Sequence, residues 1–277
     1  MTDVLHTRAE LAAAVGGTNR RAFVPTMGAL HAGHAELIKR ARELVGVDGQ
    51  VVVSVFVNPL QFNQAADLAT YPVTPDADLA LVAAAGGDVV WAPGVVDVYP
   101  PGEPVVSPDP GPLGEELEGA SRPGHFLGVL TVVHRLLKWV QPQFAVFGEK
   151  DFQQLVLVRR LVAQLGLPCV IEAVPIVRDR DGLALSSRNS RLSMTDRELA
   201  LAIPRALRAG AAAVGNAVDV VAVARAVLTG LDVDYVECRS VELDVAAAVG
   251  PARLLLAAVV GGVRLIDNAP VLLSEKS

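Results

Sequence analysis

The strongest constraint on the fold is a series of short apolar runs that alternate with segments of helical periodicity. The clearest run is VVVSVFV at 51–57, which is apolar except for Ser54 and rich in β-branched side chains. A run of this kind is typical of a parallel strand that is buried on both faces. Comparable runs predict strands at 22–27, 88–93, 144–149 and 169–176. Because strands that alternate with helices form parallel sheets, we predict a mostly parallel sheet flanked by helices.

The character of the sequence changes after the last of these runs. A polar segment at 177–193 is followed by alanine-rich helical patterns at 195–214 and 218–229, and then by further strand-like runs. Helices followed by strands are typical of a separate α+β domain. The predicted class is therefore α/β. A Rossmann-like, mostly parallel sheet occupies residues 1–176, and a smaller C-terminal α+β domain occupies residues 177–277.

The charge and the hydropathy of the chain argue against nucleic-acid and membrane partners. The chain of 277 residues is 52% hydrophobic and has a formal net charge of −6. It has no basic stripe of the kind that nucleic acid requires. No apolar run reaches membrane-spanning length, and the amino terminus lacks the pattern of a secretory signal. We expect a cytoplasmic protein without nucleic-acid or membrane partners. Cys169 and Cys238 form no C-x-x-C pair, which indicates buried, reduced thiols.

The segment PTMGALHAGH, residues 25–34, connects a predicted strand to a predicted helix that begins near Gly33. Glycine there lets the backbone approach a ligand closely, and the amide groups at a helix N-terminus attract phosphate. His31 and His34 can add donors for phosphate oxygens. Two other interpretations stay open, namely a metal site formed by the two histidines and a helix end with solvated histidines.

Two further segments also follow predicted strands. FVNPLQF has Asn58 and Gln61 at a strand end, where they can orient a polar substrate or simply belong to an Asn-Pro turn with Gln61 exposed. FGEKDFQQL offers close approach at Gly148 and, at Lys150, a point charge that suits polyphosphate. Its Asp151 is equally typical of a helix N-terminus.

Two polar segments fall outside the strand ends. LALSSRNSRLS combines hydroxyl groups with Arg188 near the predicted domain boundary, where it can close over phosphate oxygens or serve as an ordinary linker. EELEGASRPGHF contains Glu118 and Arg122, which can border a site or form an i, i+4 ion pair.

Together these segments resemble the pantothenate synthetase (pantoate–β-alanine ligase) family. This family belongs to the His-x-Gly-His nucleotidyltransferases, which are related to class I aminoacyl-tRNA synthetases. The resemblance covers nearly the whole chain, because five segments follow the family order and spacing: PTMGALHAGH, VSVFVNPLQF, GHFLGVLTVVHRLL, FGEKDFQQL and LSSRN. One departure is Ala77, which precedes Asp78 where family members commonly have two adjacent acids. Leu81 also stands where some relatives have a polar group.

The resemblance implies a set of site residues. His31, His34, Lys150 and Arg188 would be the catalytic groups. The implied ATP-binding residues are Met27, Gly28, His31, His34, Gly148, Lys150, Asp151, Val177, Leu185, Ser186, Ser187 and Arg188. Those implied for pantoate and β-alanine are Met27, Asn58, Gln61 and Gln154, with Asp78, Glu118 and Arg122 as supporting residues.

The resemblance also implies the reaction and its partners. Pantoate would attack ATP to form pantoyl adenylate and pyrophosphate, and β-alanine would then displace AMP to give pantothenate. Members use Mg²⁺ and are usually homodimers, and the C-terminal domain would close over the ATP site. Three alternatives are another adenylyl-transferring enzyme of the superfamily, a metal-dependent hydrolase and a non-catalytic nucleotide-binding module. No metal ligand is assigned.

Overall fold

The computed structural model describes residues 2–17, 20–62 and 68–275. The chain forms two compact units. The first consists of Met1–Glu149 and Gln153–Pro175, and the second consists of Lys150–Phe152 and Ile176–Ser277. The short segment Lys150–Phe152 therefore belongs to the second unit, although the first unit contains the residues on both sides of it.

A parallel sheet is the centre of the first unit. Its strands are β1 (Asp3–Leu5), β2 (Arg21–Thr26), β3 (Gln50–Val55), β4 (Val89–Trp91), β5 (Phe144–Gly148) and β6 (Val170–Val174). They lie in the order β1-β4-β3-β2-β5-β6, and every pairing is parallel. This confirms the predicted α/β class. Strand β1 was not predicted, because three residues that are mostly exposed show no readable periodicity.

Helices cover the sheet. They are α1 (Arg8–Val15), α2 (Ala32–Val45), α3 (Pro75–Ala85), α4 (Val95–Val98), α5 (Glu118–Ser121), α6 (His125–Val140) and α7 (Phe152–Leu165). On one face, Ile38 of α2 and Val82 of α3 are fully buried in one cluster with Val24 and Val53 of the sheet. Because side chains alternate along a strand, Phe23 lies on the opposite face, where it is also fully buried.

The strand order reverses between β2 and β5. In an open parallel sheet, ligands bind outside the carboxyl ends of the strands at such a reversal. The turn after β2 leads to His31 and to His34 in the first turn of α2, and β5 ends at Gly148. The topology therefore places a candidate ligand site at the ends of β2 and β5.

The second unit joins three helices to an antiparallel sheet. Its elements are α8 (Met194–Ala200), α9 (Ala202–Ala211), α10 (Ala217–Val227), β7 (Asp232–Ser240), β8 (Gly250–Val260) and β9 (Val263–Leu273). Leu207 of α9 packs in one core with Leu254 and Leu256 of β8. This confirms the predicted α+β character. The single helix predicted at 195–214 is wrong, since Pro204 has no N–H for the carbonyl four residues earlier and the helix breaks at Leu201.

The described part of the chain has no helix that is both long and apolar enough to span a bilayer. Cys169 and Cys238 are free thiols, and each is half-buried where the sequence predicted a buried thiol.

Candidate active site

The two histidines after β2 cap the helix that follows. His31 is the N-cap of α2, and its Nδ1 accepts the N–H of Gly33 at 3.1 Å. His34, three residues later, accepts the N–H of His31 on its own Nδ1 at 3.2 Å. Each imidazole thus satisfies one amide group that the first turn of a helix leaves without a helical partner. The helix begins at Ala32, one residue before the predicted start.

These caps fix the tautomer of both rings. A backbone N–H can only donate, so each Nδ1 must be unprotonated, and the neutral imidazole carries its proton on Nε2. The ring centroids of His31 and His34 lie 4.2 Å apart. The pair therefore presents Nε2–H donors, which suit phosphate oxygens. A metal bound at Nε2 would need the proton on Nδ1, where the caps exclude it, so the geometry disfavours the metal interpretation.

The turn before the histidines is held by a buried acid. Gly28 and Ala29 have φ angles of 83° and 50°, a left-handed conformation that is costly for alanine. Asp78 of α3 is only 2% exposed. Its carboxylate accepts the N–H groups of Ala29 at 3.1 Å and Leu30 at 2.8 Å. The hydroxyl of Thr74, the N-cap residue of α3, donates to the same carboxylate at 3.0 Å instead of capping its own helix.

A second polar group follows β3, where the turn Pro59–Gln61 begins. Asn58 is 1% exposed and Gln61 is 8% exposed, so the interpretation of an exposed Gln61 is wrong. Asn58 Nδ2 donates to Gln61 Oε1 at 3.2 Å and to the carbonyl of Gly128 at 3.1 Å. Gln61 Nε2 lies 2.8 Å from the sulfur of Met27. The structure therefore brings together Met27, Asn58 and Gln61, three of the residues assigned to the acid substrates.

Sequence reasoning missed His125, although it stands in the quoted segment GHFLGVLTVVHRLL. This histidine is buried, and its Nδ1 donates to the carbonyl of Gln61 at 2.9 Å. Its Nε2 lies 3.1 Å from Nη1 of Arg122. Since Arg122 also donates to the Gln61 carbonyl at 3.4 Å, the two side chains fix the backbone of that turn from one side.

Gln153 was missed as well. It is buried, and its amide donates to the carbonyls of Leu113 at 2.7 Å and Glu116 at 2.8 Å. Its Oε1 accepts the N–H of Glu118 at 3.0 Å. The neighbouring Gln154, assigned to pantoate, is half-buried on α7. A pair of adjacent glutamines at the start of a largely apolar helix is the signal that could have pointed to Gln153 as well as to Gln154.

The second unit has a cavity of its own. Lys150, Ser186 and Arg188 line it together with Asp267. Ser186 caps the turn Ser187–Arg191 by accepting the N–H of Arg188 at 3.2 Å. The N–H of Leu185 donates to the carbonyl of Val177 at 2.9 Å.

Of the residues implied for ATP, the structure thus groups Lys150 with the segment that leads to Arg188. Asp151, the next residue, ends the short turn Glu149–Asp151 and lies 3.6 Å from Lys150 Nζ. Among residues 2–17, 20–62 and 68–275, no three His, Cys, Asp or Glu side chains are grouped so that they could hold a metal ion.

A parallel sheet with donor-rich turns at its reversal point is typical of Rossmann-like nucleotide-binding proteins. The second unit separately has a cavity lined by Lys150 and Arg188. The family model for pantoate–β-alanine ligase matches residues 2–270. The chain belongs to the pantoate–β-alanine ligase family, and it is accordingly a ligase that joins pantoate to β-alanine.

Individual relatives agree with this assignment. The chain is 52% identical over 273 residues to the pantothenate synthetase of Saccharopolyspora erythraea, covering 97% of this chain and 89% of that one. It is 51% identical to the enzyme of Salinispora arenicola, with both chains covered completely. Among solved structures, the pantothenate synthetase of Thermus thermophilus is 43% identical with a TM-score of 0.89, covering 97% and 99% of the two chains.

A further solved structure is the pantoate–β-alanine ligase of Francisella tularensis in complex with β-γ ATP and β-alanine. It is 35% identical with a TM-score of 0.80, and the match covers 97% of each chain. Family and fold are therefore established over nearly the whole length.

Proposed function

We propose that this ligase works through a pantoyl adenylate, using ATP as the activating substrate and releasing pyrophosphate and AMP. The observation that carries the proposal is the pair of caps at His31 and His34, which fixes both Nε2–H donors at a helix N-terminus beside the strand-order reversal. The Francisella tularensis relative in complex with β-γ ATP supports the choice of nucleotide.

In the first step the pantoate carboxylate attacks the α-phosphorus of ATP, and the bond to pyrophosphate breaks. A carboxylic acid with a pKa of about 4 is ionised at neutral pH, so the enzyme need not supply a base. The barrier then lies in aligning two anions and stabilising the charge that develops. We assign this task to His31, His34, Lys150 and Arg188. Groups of this kind contribute about 3 kcal/mol each when they are preorganised.

In the second step the β-alanine amine attacks the activated carbonyl. The bond to AMP breaks, and the amine gives up a proton as the amide forms. We assign pantoate to Met27, Asn58, Gln61 and Gln154, with Gln61 also next to β-alanine. The support is that Asn58 and Gln61 are buried and hydrogen-bonded to each other, which gives fixed rather than mobile amide groups. Asp78, Glu118 and Arg122 support this arrangement.

The remaining ATP contacts in the proposal are Gly28, Gly148, Asp151, Val177, Leu185, Ser186 and Ser187. Mg²⁺ would enter bound to the phosphate oxygens of ATP, its usual mode in such sites. Among the residues that the structure describes, no three His, Cys, Asp or Glu side chains are grouped so that the protein alone could hold the ion. We further propose a cytoplasmic homodimer on the basis of the family resemblance, and sedimentation would test its state of association.

The direct test is AMP release from ATP and Mg²⁺ with pantoate, β-alanine or both. We expect AMP and pantothenate in equal amounts when both acids are present. Pantoate alone should support exchange of labelled pyrophosphate into ATP, because the adenylate forms without β-alanine. A folded protein that forms pantothenate without such exchange would contradict the adenylate route. His34→Ala should lower the exchange rate by about 100-fold or more while the chain stays folded.

A further inference from the structure

We propose that Asn268 is a positioning residue that fixes Lys150 for catalysis. The inference rests on the proposed function, in which Lys150 contacts the phosphates of ATP. It begins from the hydrogen bond that the side-chain amide of Asn268 donates to the carbonyl of Lys150 at 3.0 Å. The two residues are 118 positions apart, so this contact is made by the fold and not by local sequence.

Asn268 is itself held in one orientation. Its side chain is 2% exposed, and its Oδ1 accepts from Nε of Arg253 at 2.6 Å. An arginine nitrogen can only donate, so the oxygen of the amide must face Arg253 and the NH₂ must face Lys150. The direction of the contact with the Lys150 backbone is thereby determined.

The same arginine also contacts Phe152, the residue that follows the turn Glu149–Asp151. The guanidinium of Arg253 lies 4.1 Å from the ring centroid of Phe152, a cation–π distance. Arg253 is opposite Pro270 in the β8–β9 register, and Pro270 is two residues from Asn268 on β9. Because side chains two residues apart on a strand share a face, Asn268 and Arg253 lie on the same face of the sheet. Asn268 thus holds the carbonyl of Lys150, and Arg253 holds the ring of Phe152. This explains why Lys150–Phe152 belongs to the second unit.

The strand that bears Asn268 is anchored next to this point. Asp267, on the opposite face of β9, accepts two hydrogen bonds from Arg178 at 2.6 Å and 2.9 Å and is 3% exposed. Bidentate pairs of this kind are geometrically specific. Asp267 also lines the cavity that Lys150 and Arg188 share. Two adjacent residues of β9 therefore make these contacts. Asn268 holds the backbone at Lys150, and Asp267 holds the side chain of Arg178.

The test is a double-mutant cycle on the whole protein. Asn268→Asp keeps an oxygen for Arg253 but removes the donor to the Lys150 carbonyl, so the fold should survive while the turn loosens. We expect kcat to fall by about 10- to 100-fold, since a misplacement of about 1 Å can cost that much. The KM for ATP should change less. Asn216→Asp, an exchange of the same type at an exposed helix N-cap, keeps its acceptor role and should leave kcat unchanged.

The decisive readout is the effect of Asn268→Asp when Lys150 is already alanine. If Asn268 acts through the ammonium group, the second substitution should lower kcat by less than about twofold in that background. An equal fold-loss in both backgrounds would overturn the inference and leave the proposed function standing. Failure of the proposed function would look different, because the unmodified protein would then show no pantoate-dependent pyrophosphate exchange. Should Asn268→Asp not fold by circular dichroism, Asn268→Ala at lower temperature replaces it in the same cycle.

Discussion

The carboxylate of Asp78 should control the local stability of the turn that precedes the two histidines. Replacing it with alanine removes the acceptor of the Ala29 and Leu30 amides and of the Thr74 hydroxyl. Hydrogen bonds to charged groups contribute about 1.5–3 kcal/mol each. Two backbone contacts alone are therefore worth about 3 kcal/mol at the lower bound. The left-handed Ala29 adds to the tendency of the turn to open once these contacts are gone.

Amide hydrogen exchange measures this quantity directly. A loss of about 3 kcal/mol in the free energy of local opening corresponds to exchange that is roughly 100-fold faster, since each 1.4 kcal/mol is a factor of about ten. We expect this acceleration at Ala29 and Leu30 in Asp78→Ala. Asp78→Asn should show a smaller effect, because its amide keeps one of the two oxygens.

Asp76 provides a matched control. It lies two residues earlier in the first turn of the same helix but is exposed. Asp76→Ala therefore removes a similar interaction with the helix dipole, worth about 0.3–1 kcal/mol, and leaves the turn at Ala29 closed. If the two variants exchange at equal rates at Ala29 and Leu30, the carboxylate of Asp78 does not hold the turn.

Two glycines and one cysteine give further predictions. A Cβ at Gly128 would lie 2.1 Å from the carbonyl oxygen of Leu60, so Gly128→Ala should push α6 away from the turn Pro59–Gln61 and lower the melting temperature sharply in a thermal scan. At Gly148 the nearest atom would be 3.9 Å away, so Gly148→Ala should melt like the unmodified protein yet bind ATP more weakly if the nucleotide approaches there. Titration calorimetry separates these effects, and normal ATP affinity would remove Gly148 from the site. Burial raises the pKa of the Cys169 thiol to about 11, so iodoacetamide at a pH of about 8 should modify it about 100-fold more slowly than in urea; equal rates would contradict this.

The parallel sheet could be predicted because each of its longer strands is readable from its own local sequence. The run at 51–57 is apolar except for Ser54, and such a run is typical of a strand that is covered on both faces. Helix ends were predictable where a single residue decides them, as at Gly166, whose φ of 57° suits the left-handed end of α7. The helix break at Leu201 could have been predicted from Pro204. It was not, because the alanine-rich pattern continues on both sides and favours a single helix.

The candidate site was less predictable, because its order depends on contacts between distant segments. No local pattern shows that Asp78 reaches back to the amide of Leu30, or that His125 holds the carbonyl of Gln61. The histidines illustrate the difference well. Their spacing of three suggested a phosphate site or a metal site, and the choice between them came from the Nδ1 caps, which only the folded backbone defines.

The contact between Asn268 and Lys150 can form only late in synthesis, after most of the chain has been translated. The donor follows the acceptor by 118 residues. At translation rates of about 5–20 residues per second, the Lys150 turn waits roughly 6 to 24 s for its partner. During that interval the parallel sheet can assemble, because its last strand ends at Val174. The sheet can therefore form before β9 is synthesised, whereas the backbone at Lys150 can gain its contact with Asn268 only after β9 has been added.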